Sequence, residues 1–344
     1  MEPIRLTQFS PGAGCGCKIS PRELEEILTQ VPASHFDPLL LVGRESKDDA
    51  AVYDAGHGKV VISTTDFFTP IVDDPFLFGK IAACNAMSDI YAMGGSPVMA
   101  ISILGWPLDK LDKGLAAEVL KGASSACEEA GIVLAGGHSI DIPVPVFGLA
   151  VTGMASLEHI RTNSSATEGC RLLLTKPLGI GIISTAAKRG IVDPNDLDRS
   201  IYYMTQLNKI GAVVGKLPGV KALTDVTGFG LLGHLLEICE GSGLAATIEA
   251  EKVPVMEGLG KYIQANAIPG GTFRNWDSYG GKISEITETR KLVLCDPQTS
   301  GGLLIAVEES EIPQLIALAG SYGCTLSDIG KLCKQAGNII IEVQ

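Results

Sequence analysis

From Ile90 to Leu108 the chain carries no charged side chain, and that run limits the possible folds more than any other. An unbroken apolar helix of this length would suit a bilayer. Gly94-Gly95, Pro97 and Trp106-Pro107 interrupt it, because proline removes a backbone donor and glycine weakens a helix. The run therefore reads as the end of a helix followed by a buried strand over residues 98–104, and such a strand needs a covered sheet around it. Further strands are expected over 59–65, 132–135 and 144–154, with helices from about 75 to 93 and 111 to 130. Earlier, Ser20-Pro21-Arg22-Glu23 supplies an N-cap, a first-turn proline and a glutamate three residues after the cap. Leu24, Ile27, Leu28 and Val31 then form a helical stripe that is expected to face a core.

The composition turns polar over residues 156–169, which marks a domain junction. The second half restarts with the apolar run 171–175 and ends with another at 338–343. Strands and helices mix in both halves without a strict βαβ rhythm, so the expected class is α+β, with two sandwiches after a glycine-rich N-terminal arm. The boundaries fall at 1–19 for the arm, 20–156 for the first domain and 157–344 for the second. A net charge of −12 argues against nucleic acid or an anionic membrane as partner. Nine cysteines at irregular spacing point to reduced thiols in a cytosol. The first residues lack the apolar core of a signal peptide.

Chemistry concentrates at a few places. Residues 12–18, Gly-Ala-Gly-Cys-Gly-Cys-Lys, put two thiols on a pliable loop beside an ammonium, which favours the thiolate. The alternative is half a metal site or an incidental pair in a tail. Asp48, Asp49, Asp66, Asp89 and Asp225 sit next to apolar or glycine-rich sequence rather than in solvated runs. Asn85 and Asp89 are four apart and share a helix face with Phe78, Ile81 and Ala82. Each aspartate alone reads equally as a cap or turn residue. As a group without matching histidines they suit a hard cation, Mg²⁺ when phosphates complete the shell. Gly136-Gly137-His138-Ser139 reads as a loop after a strand, with backbone donors for phosphate; packing is the competing role for His138. Residues 295–302 read as a turn between two β-rich runs, a hairpin or a ligand contact. Gly228, Gly230 and Gly233 match G-x-G-x-x-G, but no parallel βαβ series surrounds them.

Together these motifs resemble the selenophosphate synthetase (selenide, water dikinase) family, within the aminoimidazole ribonucleotide synthetase-like superfamily. The likeness covers nearly the whole chain, including 47–53, 63–68, 85–95, 105–107, 136–141, 223–234, 269–272 and 295–302. The Cys15-Gly16-Cys17-Lys18 loop separates this family from its relatives. The resemblance implies ATP-dependent conversion of selenide to selenophosphate, AMP and phosphate with Mg²⁺, supplying selenium for selenocysteine and selenium-modified tRNA. It makes Cys15 and Lys18 catalytic and Asp49, Asp89 and Asp225 metal ligands. It makes Lys18, Ser46, Lys47, Asp48, Asp66, Asp89, Gly137, His138 and Ser139 nucleotide contacts, the last three from the partner of a homodimer formed by the first domain. A selenium-delivery protein is a further partner it leaves room for. Two other readings remain open at this level: a kinase or synthetase acting on a nucleotide-like or amide substrate, and a thiol-based selenium or sulfur carrier.

Overall fold

The computed structural model describes residues 4–10, 12, 14–32, 36–44 and 47–344. In the first half the strands are β1 (Leu40–Val42), β2 (Ala51–Gly56), β3 (Lys59–Phe68), β4 (Ser96–Trp106), β5 (Val133–Asp141) and β6 (Val146–Ser156). They form one sheet in the order β1-β2-β3-β6-β4-β5, antiparallel except for the β4–β5 pair. Helices α1 (Pro21–Leu28), α2 (Pro75–Ala92) and α3 (Lys113–Ala130) accompany it.

Side chains alternate along β3 and β6, so Val60, Ile62 and Phe68 join Phe147, Leu149 and Val151 on one face. Phe78, Ile81, Met87 and Ile90 of α2 cover that face. The other face keeps Phe67, Met99, Ile101 and Met154 exposed.

The second half contains β7 (Arg171–Leu174), β8 (Val220–Asp225), β9 (Leu244–Ile248), β10 (Leu303–Val307), β11 (Ser327–Lys334) and β12 (Ile341–Val343), in the order β12-β9-β11-β7-β10-β8. Its helices are α4 (Ile180–Lys188), α5 (Pro194–Met204), α6 (Gly211–Val214), α7 (Gly230–Ser242), α8 (Leu259–Gln264), α9 (Gly270–Tyr279), α10 (Glu288–Leu294) and α11 (Ile312–Ser321). Both faces of this sheet are covered, which is why β10 reads apolar without alternation. Leu172, Leu174, Leu304 and Ala306 pack with Leu231 and Leu235 of α7. Leu173, Leu303 and Ile305 pack with Leu315 and Ala319 of α11. The α+β expectation thus holds, with two sheets each carrying its own helices. No helix among the described residues is long and apolar enough to cross a membrane.

Several local expectations are corrected. The stripe Leu24, Ile27, Leu28 and Val31 is not in a core: α1 buries none of its residues, and Leu24 and Leu28 border a cavity shared with Phe229, Leu236 and Tyr279. The cap itself forms, with Ser20 Oγ accepting from the Glu23 amide. Residues 136–139 are not a loop but part of β5, paired in parallel with Ser102 to Leu104 of β4. Gly137 is there for close approach, since a Cβ would lie 2.1 Å from Ser102 Oγ. The run before residues 295–302 is helical (α10), so that segment is a helix-to-strand loop and not a hairpin. Helix α2 is buried all round instead of presenting one face. Strands β1 and β2 were not anticipated.

Two glycines allow α2 and α3 to cross closely. A Cβ on Gly79 would stand 1.8 Å from the Val119 carbonyl oxygen, and one on Gly122 would stand 1.8 Å from that of Phe76. Gly122→Ala is expected to destabilise the protein by about 3 kcal/mol through backbone separation. Urea unfolding followed by circular dichroism checks this, and an unchanged midpoint contradicts it.

Candidate active site

Asp49 lies just before β2, Asp66 on β3, Asp89 on α2 and Asp225 at the end of β8. Elements from both halves therefore converge. One carboxylate oxygen from each of Asp49, Asp89 and Asp225 lies within 4.8 Å of the others. Asp49 Oδ1 accepts from Thr224 Oγ1 at 3.0 Å, and Asp89 Oδ2 accepts from Thr64 Oγ1. Asp49 Oδ2 and Asp225 Oδ2 are buried with no hydrogen-bond donor.

Such an arrangement opposes ionisation. Burial raises all three carboxyls above the usual range, and the charge of Asp225 raises Asp49 and Asp89 further. Like charges at this spacing repel by roughly 3 kcal/mol per pair at an effective dielectric of about 20. A hard divalent cation relieves both costs, and an all-oxygen donor set fits Mg²⁺ or a similar ion.

The thiol arm closes over one side of this cluster. Residues Gly14–Cys17 form a single 3₁₀ turn that leaves Cys15 only 1% exposed. Its amide donates to Thr299 Oγ1 at 3.0 Å, and its Sγ donates to Asn85 Oδ1 at 3.3 Å. The same Asn85 oxygen accepts from the Ser300 amide at 2.7 Å, and Asn85 Nδ2 donates to Asp66 Oδ2. Lys18 Nζ pairs with Asp66 at 3.4 Å. Burial alone would lower the Lys18 ammonium, but Asp66, helped by Cys15, Asp89 and Asp225, outweighs it and holds the lysine charged.

The Cys15 thiol is pushed far up, by burial first and by Asp66 second, against the pull of Lys18 and Thr299. The expected thiolate is therefore not the form this closed arm stores. Cys17 is exposed, with its sulfur 3.0 Å from Thr69 Oγ1.

Other expected residues lie apart from this cluster. Lys47 has a left-handed backbone and pairs with Glu25 at 3.6 Å. Asp48 Oδ1 accepts from the Asn163 amide at 2.6 Å. Ser46 lies outside the described residues. Gly137, His138 and Ser139 sit on the exposed edge strand β5, three strands from Asp66 on β3 and thus about 14 Å away by strand spacing. Thr299 and Ser300 fall in the segment 295–302 that the sequence leaves open as a hairpin or a ligand contact, whereas Thr64 and Thr224 are not singled out as partners of the site, because a single hydroxyl in a strand carries no distinguishing pattern.

Two domains of this kind, meeting at a carboxylate cluster, define a protein of the AIR synthase related class. The family profile for the AIR synthase related protein N-terminal domain matches residues 47–155, and that for the C-terminal domain matches 167–342. The chain belongs to the selenide, water dikinase family. It is 57% identical to the selenide, water dikinase of Photorhabdus laumondii over 341 residues, covering 99% of this chain and 98% of that one. The corresponding figure for Cronobacter sakazakii is 55% over 344 residues, covering 100% and 99%. Among solved structures, thiamine-monophosphate kinase from Stenotrophomonas maltophilia superposes with a TM-score of 0.66 at 17% identity, covering 94% of each chain. Hydrogenase maturation protein HypE in complex with ATP gives 0.61 at 19%, covering 87% of this chain and 82% of that one. These two likenesses are of fold.

Because Asp49, Asp89 and Asp225 are raised, and burial raises Asp296 to about 7, the folded chain binds more protons than the unfolded one above about pH 4. Metal-free protein should lose stability as pH rises from about 5.5 to 7.5. Added Mg²⁺ should raise the melting temperature and reduce that slope, and Asp225→Asn should abolish the Mg²⁺ effect. Thermal unfolding at several pH values checks this; stability that rises with pH, or an undiminished Mg²⁺ shift in the variant, contradicts it.

Proposed function

We propose that this chain makes selenophosphate from ATP, selenide and water, with AMP and orthophosphate as the other products. The observation that carries the reading is the closed Cys15 arm lying against a three-aspartate cluster, in a chain whose relatives over its full length are selenide, water dikinases. Attack by selenium on the γ-phosphorus forms the Se–P bond and releases ADP. The β-phosphoryl group of ADP then passes to water, giving AMP and phosphate.

Asp49, Asp89 and Asp225 would hold Mg²⁺, which when bound neutralises phosphate charge and aligns the oxygens. Lys18 adds a fixed positive charge to the transferring phosphoryl group, and Asp66 orients Lys18. Cys15, stored as a thiol on the Asn85 oxygen, is the soft group that receives the selenium donor when the arm opens. The closed arm also keeps bulk water from the phosphates. A solved protein of the same fold holds ATP, which supports a nucleotide here.

Cys15→Ser should abolish selenophosphate synthesis while leaving ATP affinity within about threefold, since serine keeps the shape but not the soft nucleophile. ³¹P NMR of turnover and calorimetric ATP titration check this, and an equal loss of ATP affinity contradicts a catalytic role.

The reading includes a homodimer. Phe67, Met99, Ile101 and Met154 leave one face of the first sheet uncovered and apolar, and a second copy would cover it. It would also bring the partner's edge strand, with Gly137, His138 and Ser139, toward the nucleotide. Ser46, Lys47 and Asp48 would contact the same nucleotide from this chain. Nine free cysteines support a reducing cytosolic location. Ile101→Glu is expected to convert the dimer to monomer in sedimentation velocity; a monomeric parent protein contradicts this part.

A further inference from the structure

Behind the arm, on the side of residues Gly12 and Gly16, lies a cavity of about 430 Å³. Three cations border it: Lys188 at the end of α4, the adjacent Arg189, and Arg274 in α9. Among the described residues none of the three forms an ion pair within 4 Å of a carboxylate. Their partners are neutral carbonyls. Lys188 Nζ donates to Ser10 O at 2.6 Å and Gly12 O at 3.0 Å, Arg274 Nη2 to Gly16 O at 2.9 Å, and Arg189 Nη1 to Asn266 O at 2.7 Å. Glu23 and Asp296, two carboxyls near the chamber, do not neutralise them. Glu23, held low by its Ser20 hydrogen bonds and to a smaller extent by Arg274, stands too far off to pair. Asp296, behind the first turn of α4, is pushed up to about 7 by burial.

Three positive charges on the wall of one cavity repel one another, and an anion between them relieves that repulsion. Carbonyl oxygens use a few of the available N–H groups and leave the charge in place. Ser184, Thr185 and Thr299 add hydroxyls, and among the described residues no aromatic side chain lines the cavity. That combination suits a small, multiply charged oxyanion and offers nothing to a nucleotide base.

We infer that this chamber binds a tetrahedral oxyanion of the phosphate class, and that its occupancy loosens the thiol arm. The choice of phosphate rests on the dikinase reading, in which both selenophosphate and orthophosphate must leave past the arm. The coupling follows from shared donors. An anion that draws the Lys188 ammonium and the Arg274 guanidinium toward itself with their spare N–H groups pulls them from the carbonyls of Gly12 and Gly16. Thr299, on the chamber wall, is also the residue that accepts the Cys15 amide hydrogen. A product anion in the chamber would thus weaken the contacts that hold Cys15 shut, and its departure would let the arm close again.

The test uses the full chain in EDTA, so that no divalent cation can bridge phosphate to Asp49, Asp89 and Asp225. Orthophosphate is titrated calorimetrically, and iodoacetamide labelling of Cys15 is followed by peptide mass spectrometry. One phosphate per chain is expected, with labelling that quickens as the site fills. Lys188→Gln with Arg274→Gln should weaken binding by about tenfold or more, while Arg274→Lys, which keeps the charge, should stay within about threefold. Thiophosphate titrated in parallel separates the two sources: tighter binding than orthophosphate assigns the chamber to the chalcogen-bearing product, and equal or weaker binding assigns it to orthophosphate. Absence of saturable binding, equal binding by the double variant, or labelling indifferent to phosphate overturns the inference. None of these readouts requires turnover, so a negative result leaves the dikinase reading standing.

Discussion

Asp49 just before β2, Asp89 on the buried helix α2 and Asp225 at the end of β8 bring carboxylate oxygens within 4.8 Å of one another, and the cost of burying them there is the constraint that their surroundings must meet. Asp49 and Asp89 come from the first half, Asp225 from the second. Neither domain alone can assemble the set, so the interface between them is a working part and not only a packing surface. Helix α2 runs through the middle of this arrangement. Asn85, Ser88 and Asp89 fall on successive turns of it, and Asn208 Nδ2 bonds Ser88 Oγ while Ser300 bonds Asn85. A polar helix face that would be expensive to bury is made tolerable because Asn85 and Ser88 meet partners from the other half and Asp89 meets Thr64 of β3.

The loop before β10 performs a second task. Ser300 holds a left-handed backbone, unusual for a residue with a Cβ, and its carbonyl accepts from the buried Lys176 at 2.9 Å. That conformation turns its amide toward Asn85 and sets Thr299 under the Cys15 amide. The thiol is thereby held protonated and out of solvent, where it is shielded from oxidation.

Much of this was legible in the chain. The aspartates stood beside apolar sequence, the thiol loop had a distinctive spacing, and α2 and α3 were found to within a few residues, because long buried helices carry strong signals. The failures have physical causes. The α1 stripe has helical period, but period alone does not say whether anything lies opposite, and here a cavity does. Gly136 and Gly137 look like a loop because glycine usually punctuates strands; in β5 Gly137 permits the close pairing with Ser102, and Gly136 takes a positive φ of 132°. The Cys15 environment was misjudged because Lys18 is adjacent in sequence, whereas Asp66 and the burial that outweigh it arise only from tertiary contacts. The basic chamber was invisible for the same reason: Lys188, Arg189 and Arg274 are brought together by α4 and α9.

In the proposed function these carboxylates hold divalent cations against a polyphosphate. A crystal grown with Mn²⁺ and a non-hydrolysable ATP analogue tests it directly, through anomalous scattering. The expected result is a strong peak ligated by Asp49, Asp89 and Asp225 and bridged to phosphate oxygens. Manganese bound elsewhere, with the analogue remote from these three residues, would contradict it.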